Sequence, residues 1–141
     1  MHSLDIQVSN SVDPAFEALL VQGLSDFNDA VTGYGDRQPL SVVVTDSHTN
    51  EAIGGASGRS ALGLLFLDLF YLPESLRGRG VGSEVLRKFE AEGKRRGCIS
   101  AVLYTISFQA PEFYQRHGWR VFGEIPCAPE GASRIFLTKS L

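Results

Sequence analysis

The chain has 141 residues, the length of one compact domain, with 43% hydrophobic and 21% charged residues, enough apolar material for a single core. Thirteen Lys and Arg against sixteen Asp and Glu leave a net charge of −3, which excludes the electrostatic footprint of a general nucleic-acid binder. The longest apolar run, residues 62–72, is interrupted by Asp68 and falls short of the roughly 20 residues that span a bilayer. The opening residues lack a basic stretch followed by an apolar one, so a soluble, cytoplasmic protein without membrane partners is expected.

Residues 13–30 carry Phe16, Leu19, Leu20, Leu24 and Phe27 at spacings of three and four, which predicts a helix. Ser11 or Asp13 is placed to cap it, with Pro14 in the first turn. Gly33, Gly35 and Pro39 mark a loop. Residues 41–45 read as a buried strand, 52–59 as a glycine-rich strand, and 62–72 as the strongest strand of the chain. Pro73 ends it. A helix follows over 81–96, with Val81, Val85, Leu86 and Phe89 on one face. Glu84–Lys88, Glu90–Lys94 and Glu92–Arg96 are i,i+4 pairs with the acid first, and Gly97 stands where a left-handed cap is expected. Residues 101–106 form a strand, 112–117 a short helix ending at Gly118, and 120–125 and 134–137 two closing strands. Strand, helix and strand through 62–106 imply a right-handed parallel crossover, and the last two strands suggest antiparallel pairing. The class is mixed α/β, one domain over 1–141.

Cys98 and Cys127 match no zinc spacing and no C-x-x-C pair, so two reduced thiols are expected. His2, His48 and His117 are scattered, and no metal site is expected. His117 reads as a surface residue at a helix end, and Glu74 as a solvated loop acid.

Between the best strand and the best helix lies Arg77-Gly78-Arg79-Gly80-Val81-Gly82-Ser83. A helix start exposes backbone N–H groups with no intrahelical partner, at the positive end of the dipole. Glycines let a phosphate oxygen approach those donors, and two arginines add charge. The P-loop pattern G-x-x-x-x-G-K-[ST] is absent. The dinucleotide fingerprint fails as well, since its third glycine would fall on Ser83 or Val85.

Arg77-x-x-Gly80-x-Gly82 resembles the Q/R-x-x-G-x-G/A motif of the GNAT acetyltransferases, which in that family also lies between a strand and the following helix. Ser107 to Trp119 resembles the family's N-x-x-A-x-x-x-Y-x-x-x-G-F element, with Ala110, Tyr114 and Gly118 in matching positions and Trp119 where Phe or Tyr is usual. Ser107 replaces the usual Asn, and Gln109 is the alternative source of that polar contact. Further likeness to small bacterial members runs from about Asn28 to the C-terminus.

The resemblance implies one mixed, mostly antiparallel sheet of six to seven strands, a parallel splayed central pair and about four helices. It implies acetyl-CoA as co-substrate, no metal, and transfer of the acetyl group to a primary amine by direct attack. The acceptor stays open between a small amine, a peptide and a protein lysine. A non-catalytic acetyl-CoA-binding sensor is the alternative. The cofactor residues implied are Phe70, Tyr71 and Leu72 along the splayed strand, Arg77, Gly78, Arg79, Gly80, Val81, Gly82 and Ser83 in the loop, and Gln109 and Phe113. Tyr114 matches the tyrosine that donates to the coenzyme A sulfur; a phenol of pKa about 10 is protonated at neutral pH. Asp68, a carboxylate in an apolar strand, is either the general base or paired to a neighbouring backbone group or arginine, and ordered water is the alternative base. Asn28, Tyr34 and Asp36 are candidate substrate residues. A homodimer through the C-terminal strands is consistent with the family.

Overall fold

A computed structural model describes residues 3–141; Met1 and His2 lie outside the described residues. The chain divides into two compact units, Met1–Gly35 and Asp36–Leu141.

The first unit is built on one helix, α1 (Pro14–Thr32). Asp13 is the cap, its Oδ1 accepting the Ala15 amide at 3.1 Å. Pro14 opens the first turn, where its missing N–H costs nothing. Gly33 closes the helix at φ 84°, donating its amide to Asp29 O. The expected apolar spacing is present, yet no residue of α1 is buried; Phe16, Leu19, Leu20, Leu24 and Phe27 are all exposed.

The second unit carries β1 (Gln38–Thr45), β2 (Ala52–Ala61), β3 (Leu64–Tyr71), a 3₁₀ turn at Glu74–Leu76, α2 (Val81–Arg95), β4 (Ser100–Ile106), α3 (Pro111–Arg116), β5 (Arg120–Pro126) and β6 (Ser133–Ser140). The six strands form one sheet in the order β1-β2-β3-β4-β6-β5. Every pairing is antiparallel except β3 with β4, so the mixed sheet and its crossover through α2 agree with the sequence reading. Among the described residues there are three α-helices and a single 3₁₀ turn.

Several boundaries differ from the expected ones; β1 already starts at Gln38, so Pro39, expected in a loop, pairs with Arg59 of β2. The run 62–72 begins with a tight hairpin turn, Leu62 at φ 51° and Gly63 at φ 78°, before β3 starts. Two successive positive φ values suit the right-handed twist of the flanking strands, but leucine is not a residue that signals them. The final strand is also longer than the apolar segment 134–137, because its ends are half-polar.

One face of the sheet packs on α2. Leu65, Leu67, Ala101, Leu103 and Leu137 from the strands meet Val85, Leu86 and Phe89 from the helix, and Tyr114 and Trp119 extend this core. Side chains alternate across a strand, so Tyr104 and Phe136, cross-strand partners with ring centroids 5.7 Å apart, lie on the other face.

Of the three expected helix-face pairs, Glu84–Lys88 (4.0 Å) and Glu92–Arg96 (2.8 Å) form. Glu90 turns away from Lys94 and instead accepts from Trp119 Nε1 at 3.0 Å and from Lys139. Arg96 reaches beyond its helix to the carbonyls of Gln38 and Pro39 and to Ser60 Oγ, tying the end of α2 to β1 and β2. Cys98 is buried and Cys127 exposed, and both are free thiols.

The feature that positions a site is a break in the centre of the sheet. β3 pairs with β4 only from Leu64↔Ser100 to Leu67↔Leu103. On its other side β3 faces β2 with Leu67↔Gly58 and then Leu69↔Ser57, so Asp68 is an extra, bulged residue. A bulge bends its strand and increases its twist. Past Asp68, β3 diverges from β4, while Tyr104, Thr105 and Ile106 pair with β6 alone. Two half-paired strand edges therefore face one another across a gap.

Candidate active site

A cleft of about 700 Å³ opens at the C-terminal ends of β3 and β4. Of the sequence-derived cofactor residues, the cleft brings together Phe70, Tyr71, Leu72, Arg77, Gly78, Gly80, Gly82, Ser83, Gln109 and Phe113. Arg79 does not line it. The Val81 side chain packs on the core, which leaves only its main chain to face a ligand. Sequence reasoning missed four lining residues: Thr105, Phe108, Ala110 and Arg116. Arg116 could have been found as a second cation near the loop, one turn from Phe113 on the tyrosine-bearing helix.

The loop is shaped for an anion. Gly80 is the residue before α2 and sits at φ 78°, and Gly78 is at φ 75°. A side chain at either would meet open space rather than protein, so glycine is required there by backbone conformation. The first amide to return to the loop is Glu84, which bonds Gly80 O at 3.2 Å. The amides of Val81, Gly82 and Ser83 precede it and have no carbonyl within the helix to accept them. Arg77 Nε donates to Leu72 O at 3.2 Å, holding the base of the loop to the end of β3. Ser83 Oγ lies 3.0 Å from His117 Nε2, and the imidazole packs against Phe113 with centroids 5.0 Å apart. His117 is thus half-buried and joins the loop to α3, contrary to the surface role its helix-end position suggested.

Ser107 and Gln109, the two residues weighed for the place of the usual Asn, both make hydrogen bonds within the chain. Ser107 Oγ accepts the Ser133 amide at 3.0 Å, which turns it toward β6. Gln109 Oε1 accepts from Thr105 Oγ1 at 2.8 Å and from the Ile106 amide at 3.2 Å. With its oxygen engaged, the Gln109 amide nitrogen is the group left to serve the cleft.

Tyr114 is buried among rings. Phe70 (6.1 Å), Phe113 (5.2 Å) and Trp119 (6.2 Å) surround it edge-on. Burial without a cationic neighbour disfavours the phenolate and pushes its pKa up to about 12. No buried side-chain polar atom among the described residues lacks a partner, and the phenol bonds to none of them, so its hydroxyl opens onto the cavities it lines.

A second, smaller cavity of about 220 Å³ shares Phe70, Thr105, Gln109 and Tyr114 with the cleft and continues to Asp68, Tyr104 and Arg134. The two spaces meet at Tyr114 through the gap in the sheet. Asp68 stands at the bulge, half-exposed rather than buried, with both carboxylate oxygens on Arg59 Nη1 at 2.9 and 3.1 Å. Arg59 in turn lies 4.1 Å over the Phe66 ring. The arginine partner weighed from sequence is therefore present.

Of the three candidate substrate residues, only Asp36 lies in the same unit as Tyr114, and it lines neither of the two cavities. Asp36 accepts the Leu62 amide at 3.0 Å, bracing the β2–β3 turn. That turn is at the start of β3, roughly 25 Å of strand from the end where the cleft opens. Asn28 lies on α1 and Tyr34 just past it, both exposed in the first unit, where the Asn28 and Tyr34 carbonyls accept from Thr32 Oγ1.

Known proteins resemble this chain in sequence and fold. Residues 8–119 match the model of the acetyltransferase (GNAT) family. An acetyltransferase of Agrobacterium fabrum is 29% identical over 136 residues, covering 96% of this chain and 98% of the relative. Blasticidin-S acetyltransferase of Streptomyces morookaense is 36% identical over 109 residues, covering 75% of this chain and 80% of the relative. A crystal structure from Agrobacterium tumefaciens, described as an acetyltransferase, superposes with a TM-score of 0.87 at 28% identity, over 98% of this chain and all of that one. A glycine-lined helix start, a tyrosine at a gap between parallel strands and a family match over four-fifths of the length have one reading: this chain belongs to the GNAT family and is an N-acetyltransferase.

Proposed function

We propose that the protein moves the acetyl group of acetyl-CoA to a primary amine by direct attack, with Tyr114 as general acid. One observation supports the reading above all: two cavities, one of them lined by the glycine loop, share Tyr114.

The residues present fit coenzyme A. The free amides at the start of α2, the open space over Gly78 and Gly80, and the charges of Arg77 and Arg116 suit a diphosphate. The half-paired edges of β3 and β4 suit a pantetheine arm, which carries amides that bond to backbone. In an extended strand, main-chain groups alternate in direction, so those of Phe70, Tyr71 and Leu72 not used by β2 point into the gap. One of these N–H groups polarises the acetyl carbonyl as charge builds on its oxygen.

Bound acetyl-CoA supplies the acetyl group as a thioester. The N–C bond forms as the C–S bond breaks. Tyr114 Oη–H gives its proton to the departing sulfur, and the proton of the attacking nitrogen leaves to Asp68 or to ordered water. Asp68 lines the smaller cavity with Tyr114, which supports its reading as the base on the acceptor side. A relative named for blasticidin-S favours a small molecule over a protein lysine as acceptor.

The test is thiol release on incubation with acetyl-CoA and an amine panel. Tyr114→Phe is expected to keep coenzyme A binding while losing about 10²-fold or more in kcat. Folded protein that binds coenzyme A yet acetylates no amine would overturn the reading.

A further inference from the structure

The smaller cavity has an unbalanced wall. Its one carboxylate, Asp68, is neutralised by Arg59. Its other charged group, Arg134, forms no ion pair and no side-chain hydrogen bond with any described residue. Arg134 is exposed, and its guanidinium lies 5.0 Å over the ring of Tyr104, which is packed against Phe136. Stacking occupies the flat face of a guanidinium. Its N–H groups lie in the plane of that face and stay free for a planar, bidentate acceptor.

We propose that Arg134 binds an anionic group of the acceptor, so that the preferred acceptor is an amine that also carries a carboxylate. This rests on the reading of the smaller cavity as the acceptor side of acetyl transfer. Tyr114, shared with the larger cleft, and Arg134, which lines only the smaller cavity, assign the amine to the shared end and the anion to the arginine. At about 220 Å³ the cavity lies below the range of drug-sized sites, and suits an amino-acid-sized molecule or one end of a larger one. The Arg59–Asp68 pair supports the same polarity: with Asp68 engaged, the net charge offered to the acceptor is positive.

The experiment compares matched acceptors in wild type, Arg134→Gln and Arg134→Lys. The pairs are β-alanine with β-alaninamide and γ-aminobutyrate with its amide, with acetyl-CoA as donor and thiol release as readout. In wild type the acids are expected to exceed their amides in kcat/KM by at least about 10-fold, mainly through KM. In Arg134→Gln the ratio falls close to one, and Arg134→Lys retains part of it. Amides that match the acids in wild type, or a ratio unchanged in Arg134→Gln, would refute the proposal. A second readout separates it from the acetyl-transfer reading: the Nε–H resonance of Arg134 followed while propionate is added to the coenzyme-A-loaded protein. A saturable shift with no turnover of any amine upholds the anion site and sinks the acceptor reading. No shift together with no turnover sinks both.

Discussion

Tyr114 shows how a single residue is tuned by what surrounds it. Three aromatic neighbours and no cation raise its pKa to about 12, so it stays protonated through the range where an alkyl ammonium of pKa about 10.4 gives up its proton. The rate is therefore expected to climb with pH as the acceptor is deprotonated, with no falling limb assignable to the acid below about pH 11. A pH profile of kcat that falls with a midpoint near 9 would exclude the phenol as proton donor. Gly80 is tuned by backbone alone. At φ 78° with open space where a Cβ would point, Gly80→Ala suffers only the left-handed penalty of about 1–2 kcal/mol. The loop is expected to relax out of its conformation, weakening coenzyme A binding about tenfold in calorimetry while thermal stability changes little.

At the scale of elements, α2 is held by a buried face and by one cation at its end. Arg96 bridges Glu92 to two carbonyls of β1 and to Ser60. Arg96→Ala removes bonds to a charged donor and leaves the buried Ser60 hydroxyl without that partner, at a cost of about 2 kcal/mol. Differential scanning calorimetry should record a Tm lower by several degrees; an unchanged Tm would show that the bridge contributes nothing net.

The elements also show what a sequence can and cannot display. The face of α2, the Gly97 stop and the glycine loop were legible because each is encoded within a few neighbouring residues. Asp68 was legible as a misplaced charge, and its arginine partner was weighed, but the register break it marks depends on β2. The Leu62–Gly63 turn was hidden because leucine carries no turn signal. The bonds of Ser83 to His117 and of Glu90 to Trp119 and Lys139 join residues far apart in the chain, and no local pattern announces them. The same holds for Asp36, a plausible loop ligand by position that the fold spends on a turn.

For the whole molecule, two perturbed groups outline the pH range of stability. Hydrogen bonds from Arg95 and Arg96 lower Glu92 to about 2. A lowered carboxylate contributes stability above its unfolded value of about 4.3, and this is lost as pH falls toward 2. Burial raises Tyr114, so above the unfolded value of about 10 the unfolded state releases its proton first, and stability declines up to about 12. Thermal unfolding should be flat with respect to these two groups between about pH 5 and 9. Glu92→Gln is expected to flatten the acid edge and Tyr114→Phe the alkaline one; edges unmoved by either variant would assign them to other groups.

The junction of the two cavities at the sheet's central gap sets the order of events. The larger cleft is lined by residues of the glycine loop and α3, and the smaller cavity by Tyr104 and Arg134, so on the proposed reading donor and acceptor occupy separate spaces. Under the proposed direct attack both ligands are bound together, and no acetylated side chain carries the group between them. Initial-rate plots at several fixed donor concentrations should therefore intersect, as for a ternary-complex enzyme, whereas parallel lines would betray a shuttle in which the protein itself is transiently acetylated.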